Sequence, residues 1–483
     1  MRRFLWLILI GILSCHTALA QENPQPLLTI PHERSIVGAH WHPNNHDFWT
    51  WNRQFIFQES GETVWKDHLR LWNGESGSLQ NEFQYHGDNI MMYTDWSAGE
   101  SRLLVYGGES LEVWDTLNNQ KVATFNYTAW ISGAQWNADF SRVLFWSYDD
   151  GSIRILDVNS QQVVFLAETH LNSDLVYAAW SPDETAVLGV LTQGPLTQGP
   201  GSVQIWDVTD GALKQTFDYP GMVYRAEWNS DGTRILIEGD KIIQLVDIAT
   251  RAVLREKRDD PHSYRADWSP DHTRVAVRVE FEPFVEVWDT LSGAVISTFI
   301  ASEQTDEFIF GVLWSKDNQH ILTLPPNQIA LWDSTSAAQV VNIPVEARAF
   351  NMSWSSWSPD EQKIVYMRSD SSMAIVSLDT SESVELELPA PIPLSMPAPN
   401  FTWNADSSQV MLWRVDNSTR IWDTTSGRLL ALLTHPVPAG FAAELVTGAI
   451  WSPDEQHILT LAGPDYCGGV DTCPTEASVW DAP

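Results

Sequence analysis

Tryptophan recurs in this chain on two interleaved schedules. On the first, a Trp opens a Trp-Ser-Pro-Asp-like turn at Trp41, Trp96, Trp136, Trp180, Trp228, Trp268, Trp314, Trp357, Trp403 and Trp451. On the second, an apolar segment that usually ends Trp-Asp carries Trp72, Trp114, Trp206, Trp288, Trp332, Trp422 and Trp480, with Leu156, Val246 and Leu378 in the equivalent places. A unit that returns every 40 to 50 residues or so, and is too small to bury its own apolar faces, has to stack on its neighbours. The chain therefore reads as one repeat body, although 483 residues would otherwise suggest roughly three domains.

One repeat shows the local logic. Before Trp268, apolar and polar residues alternate from Tyr264, as a half-buried strand requires. Ser269-Pro270-Asp271 is turn chemistry: Pro presets φ and the Asp side chain bonds nearby backbone. Alternation resumes over Arg274 to Val279 and again over Val285 to Trp288. A second turn, Thr290 to Gly293, leads to a fourth strand over Ala294 to Phe299. Four short antiparallel strands make one twisted sheet, and radial stacking covers both of its faces.

These Trp-Asp dipeptides, at 114, 206, 288, 332, 422 and 480, resemble the WD-repeat β-propeller family over residues 26 to 483. The Trp-Ser-Pro-Asp turns are also similar to those of TolB-type periplasmic propellers. The resemblance implies an all-β propeller of about ten four-stranded blades, used mostly as an interaction scaffold. The family's Gly-His pair before the first strand is absent from every repeat. The hydrogen-bonded network that this His supports is therefore not expected here, and Trp packing should take over its role.

The last repeat stops at Trp480-Asp481, after a third strand, while Pro26 to Ile30 precede the first repeat as an unassigned strand. The expected solution is that the N-terminal strand completes the C-terminal blade, which hides two sheet edges. Ten blades exceed the usual four to eight, so two smaller propellers are the alternative architecture. From each third-strand position to the next turn Trp the interval is 22 to 29 residues throughout, which favours one ring. Length varies elsewhere, between the second and third strands. The additions are Arg53 to Asp67 in repeat one, the duplicated Leu-Thr-Gln-Gly-Pro of 191 to 200 in repeat four, and Gly463 to Thr475 in repeat ten. Those of repeats ten and one should lie side by side on one face.

Residues 1–20 read as a secretory signal peptide: Arg2 and Arg3, an apolar run Phe4 to Leu13, then Ala18-Leu19-Ala20. The run is too short to span a bilayer, so no transmembrane segment is expected. Ile12-Leu13-Ser14-Cys15 also resembles a lipoprotein box, which leaves a lipid anchor at Cys15 as the minor alternative. The expected location is outside the cytoplasm: periplasmic, cell-surface or extracellular. A formal net charge of −34 opposes nucleic-acid binding, which draws its affinity from Lys and Arg on phosphates. In such a compartment Cys467 and Cys473, flanking a Gly-Gly turn, are expected to form a disulfide rather than a metal site.

No catalytic, cofactor or metal residue is assigned. The cluster His40, His42 and His46 lacks a carboxylate or Cys to complete a ligand set, and the turn aspartates recur too regularly to be acid–base catalysts. Phe55, Phe57 and Trp65, in the addition of repeat one, are the expected partner-binding residues, because exposed aromatics anchor protein interfaces. The leading expectation is an exported, non-enzymatic scaffold for a protein or peptide. The alternatives are a propeller hydrolase or lyase with a central-channel site, marked by a cluster of carboxylates or His with shifted pKa, and a structural envelope component. The mature chain should begin at Gln21 with no free thiol, its disulfide contributing roughly 2 to 3 kcal/mol by loop closure. Intact mass and thiol titration without reductant check both; a lipidated Cys15, a retained Met1 or two free thiols would overturn them.

Overall fold

The computed structural model describes residues 24–483, apart from 33–35, 45, 58–62, 88–92, 98–100, 119, 169–172, 194–198, 259–263, 280–281, 301–308, 310, 324–327, 345–354, 368–371, 389–399, 414–415, 437–444 and 464–474. Its strands form ten four-stranded antiparallel sheets. Blade six is the repeat dissected above: β22 (Tyr264–Trp268), β23 (Arg274–Val279), β24 (Phe284–Asp289) and β25 (Val295–Ile300). Each boundary falls within a residue or so of the alternation pattern.

The turns explain why the sequence repeats as it does. Ser269 Oγ donates to Asp271 at 2.7 Å, and Asp271 accepts from the Thr273 N–H at 3.0 Å. The Asp of Trp-Asp closes the other turn: Asp289 accepts from the Ser292 N–H at 2.7 Å. Gly293 then sits at φ +72°, where an added Cβ would lie 2.4 Å from the Leu254 carbonyl oxygen. These bonds hold Asp183, Asp231 and Asp454 below the usual carboxylate range, chiefly through neighbouring hydroxyls. The turn aspartates are turn formers.

The fourth residue of the first turn adds a link between blades. Phe140, Glu184, His272, Asn318, Glu361, Ser407 and Glu455 occupy it with φ of 56 to 62°, a conformation that costs a non-glycine residue about 1 kcal/mol. Several use it to reach the preceding blade. Glu184 accepts from the Ala138 N–H at 2.7 Å, Asn318 from the Asp271 N–H at 3.1 Å, Glu361 from the Lys316 N–H at 2.7 Å, and Ser407 from the Asp360 N–H at 3.1 Å. A belt of hydrogen bonds thus runs along the face that carries these turns.

Ten apolar clusters hold the sheets together, and each joins one blade to the next. Leu236, Ile243 and Leu245 of blade five, for example, pack on Tyr264, Val275 and Trp288 of blade six. Trp49, Leu69 and Leu71 of blade one meet Leu103, Val105 and Trp114 of blade two, and Met411, Ile421 and Leu433 of blade nine meet Ala449, Ile458 and Trp480 of blade ten. The circuit closes where Ile30, Leu459 and Val479 of blade ten meet Ile36, Trp41 and Phe48 of blade one. The ten blades therefore make one ring, not two.

The two Trp schedules differ in role. Third-strand Trp288, Trp422 and Trp480 are fully buried between blades. Of the turn tryptophans, Trp180, Trp268 and Trp451 are only half-buried. Three of them bridge blades by donating to the carbonyl of the residue before the preceding turn Trp: Trp41 to Ile450, Trp136 to Asp95 and Trp314 to Asp267, at 3.0–3.4 Å.

One expectation needs correction. A His network does exist in blade ten: buried His435 bonds Thr460 Oγ1 at 2.8 Å, Thr460 accepts from the Trp480 indole at 2.7 Å, and His435 also meets Glu476. The residue before it is Thr434, so a search for Gly-His passes it by.

Closure is by β1 (Leu28–His32), which pairs antiparallel with β40 (Thr475–Asp481), Leu28 opposite Val479 and His32 opposite Thr475. The strand lies two residues further on than Pro26 to Ile30, and its Ile30 joins the cluster shared with blade one. Deleting residues 28–32 should leave β40 as an unpaired edge, with loss of the cooperative melt and concentration-dependent aggregation. An unchanged melt by calorimetry would show that closure does not stabilise the ring.

Candidate functional site

Within each sheet the first strand is an edge strand. First strands of successive blades touch one another, as β10 (Gly133–Trp136) does β14 (Ser173–Trp180), and β14 does β18 (Val223–Trp228). The fourth strands are largely exposed, as in β21 (Val253–Arg258). First strands therefore line the axis and fourth strands form the rim. The residue just before each turn Trp lies on this inner edge, and there the repeat breaks down: His40, Asp95, Gln135, Ala179, Glu227, Asp267, Leu313, Ser356, Thr402 and Ile450.

A cavity of about 650 Å³ opens at the inner edge of blades three to six, on the face of the first-to-second strand turns. Its wall carries four indoles, Trp136, Trp180, Trp228 and Trp268, with Tyr177, Gln135 and a charged cluster. In that cluster Arg225 contacts Glu227 at 2.5 Å and, beneath, Glu238 at 3.7 Å. Glu238 belongs to β19 (Arg234–Gly239), directly across from Arg225. Asp267, on the neighbouring blade, completes the wall.

Burial sets the electrostatics. It pushes Glu238 up to about 7 despite Arg225, and it raises Asp267, with Arg278 and Arg225 opposing. The Tyr177 hydroxyl is also raised, by burial and then by the Glu227 carboxylate. Two carboxylates with raised proton affinity are the kind of feature expected of a channel enzyme. Only Asp267 lines the cavity, however; Glu238 lies below it with a side chain 6% exposed. Among the described residues no hydrogen bond or ion pair reaches the Asp267 carboxylate; the charges that act on it are those of Arg278, Arg225 and Glu227. The arrangement is suited to binding by charge and aromatic contact.

The residues expected from sequence fall elsewhere. The addition of repeat one lengthens a hairpin instead of forming an irregular loop. Strand β3 (Asp47–Phe57) runs against β4 (Thr63–Asn73), with Phe55 opposite Trp65 and Phe57 opposite Thr63. Ladder hydrogen bonding carries the pleat outward where a loop was expected. This hairpin, a connection between second and third strands, is on the opposite face from the cavity. Cys467 and Cys473, residues 1–20 with Cys15, and residues 194–198 of the duplication lie outside the described residues. His42 is buried and bonds the Thr116 carbonyl at 2.8 Å, His40 lies against the Trp96 ring at 4.6 Å, and His46 is exposed. Among the described residues no group of three His, Cys, Asp or Glu could hold a metal. Nor is any helix there long and apolar enough to cross a membrane.

The sequence reading overlooked Arg225, Glu227 and Asp267 because it looked for changes in length. The available signal was a change of residue type at a fixed repeat position.

No family model matches the chain. A serine-threonine kinase receptor-associated protein of Dictyostelium discoideum is 21% identical over 233 residues, which is 46% of this chain and 72% of that protein. Among solved structures, a chain from a mitotic checkpoint complex is 19% identical and covers 59% of this chain and 88% of its own, with a TM-score of 0.37. A eukaryotic initiation factor chain is 16% identical and covers 83% and 88%, with a TM-score of 0.45. The fold stands on the ten closed blades themselves.

Glu238 yields a pH test. Its folded pKa, about 7, exceeds the ordinary 4.5, so the stability linked to its proton is fully present below about 4.5 and lost as pH rises through 7. Between pH 5 and 8 the native protein should lose on the order of 2 to 3 kcal/mol that Glu238→Gln keeps. Parallel denaturation curves at the two pH values would refute the assignment.

Proposed function

We propose that this chain is an exported, non-enzymatic scaffold of the WD-repeat type that binds a protein or peptide partner at the mouth of its axis. The observation that carries the reading is the cavity of blades three to six, where charged residues that do not recur from blade to blade stand beside four of the recurring turn indoles. A rigid ring that presents a few non-repeating groups is suited to recognition. The leader at residues 1–20 supports export, and the net charge of −34 supports a partner other than nucleic acid.

A second surface is favoured by the long hairpin of blade one, which carries Phe55, Phe57 and Trp65 in its sequence. Substitution separates the two. Ala138 is exposed at the cavity rim, so Ala138→Trp should obstruct the cavity and abolish partner capture from the extracytoplasmic fraction, with the melting temperature unchanged. Joint substitution of Phe57 and Trp65 by Ser should leave capture intact. Loss of capture in that double variant alone would move the site to the opposite face.

A further inference from the structure

The groups lining the cavity are not equally satisfied. Glu227 is paired with Arg225 at 2.5 Å. Glu184 accepts from the Asn137 side chain at 2.9 Å and from the Ala138 N–H at 2.7 Å. Arg225 is held by two carboxylates, Glu227 and Glu238. Among the charged groups on the wall, Asp267 alone, half-buried and attracted by Arg278 and Arg225, receives no hydrogen bond or ion pair from any described residue.

We propose that this cavity seats a cationic side chain, the ammonium or guanidinium of an extended basic segment of a partner protein, between its indoles and the Asp267 carboxylate. The proposal rests on the cavity being the partner site and specifies the chemistry of what enters it. Three carboxylates and one guanidinium line the wall (Glu184, Glu227, Asp267 and Arg225), so a cation meets a net negative field, and an anion has only an arginine already engaged twice. Trp180, Trp228 and Trp268 line the same space, and indole rings attract cations through their quadrupole. A neutral or acidic guest would leave Asp267 covered and unpaired, a penalty that selects against it. The charge of the whole protein, −34, steers basic segments toward it.

The probes are acetylated, amidated pentapeptides Gly-Gly-Xaa-Gly-Gly with Arg, Lys or Glu at the centre, titrated into the full mature chain. Indole N–H resonances and tryptophan fluorescence report binding. The Arg and Lys peptides should saturate and the Glu peptide should not. Asp267→Asn should weaken the cationic peptides roughly tenfold or more, as expected for losing one charge-assisted contact. Asp267→Glu should largely retain binding, and Asp218→Asn, on an exposed outer strand, should have no effect. Failure of both cationic peptides to saturate at millimolar concentration overturns the proposal. So does equal binding by Asp267→Asn, or preference for the Glu peptide. Partner capture blocked by Ala138→Trp but untouched by Asp267→Asn would keep the cavity as the site and discard the cationic guest. Capture indifferent to both would remove the site as well.

Discussion

Every sheet in this molecule has two apolar faces, and among the described residues no helix covers either. Packing of face on face between successive blades is therefore the interaction on which everything else depends. It is satisfied only when the series of blades returns to its start, since an open arc would leave two apolar faces in water. The apolar clusters run without interruption from blade one to blade ten and back. Strand β1 finishes the circuit by completing the last sheet. Tryptophan suits the task because one side chain spans the gap between sheets, and Trp288, Trp422 and Trp480 have no exposed surface to speak of.

That constraint also changes the meaning of the acidic composition. Many aspartates act within the turns. Those of the first turn accept from a hydroxyl and a backbone N–H two residues on, and those of Trp-Asp accept from the third residue after them. Because these bonds favour the ionised form, the turns lose stabilisation together as pH falls below the ordinary carboxylate range. Much of the negative charge is therefore structural, repeated with each blade. The charge that distinguishes one part of the ring from another lies in a few inner-strand residues.

Those residues sit where the blades impose least. A middle strand must match its neighbours on both sides, whereas the first strand has a free edge toward the axis. Arg225, Glu227 and Asp267 can replace apolar or small residues there without disturbing the packing behind them. Their clustering on blades five and six, beside the indoles of blades three to six, gives the ring one chemically distinct sector.

The ten-fold schedule, the strand boundaries of blade six and closure by the N-terminal strand were legible in the sequence, because alternation, turn residues and Trp spacing are local properties that every repeat restates. The extended hairpin of blade one was not: extra residues between two strands read the same whether they loop out or prolong the ladder, and only cross-strand pairing decides. His435 escaped a search for Gly-His because Thr434 precedes it, and its partners, Thr460 and Trp480, come from a later part of the chain. The site was hidden for the same reason. Residues as far apart as Gln135 and His272 become neighbours only when four blades converge on the axis. Whether Asp267 finds a partner of its own depends on what those other blades place around it, and that is decided by the tertiary structure alone.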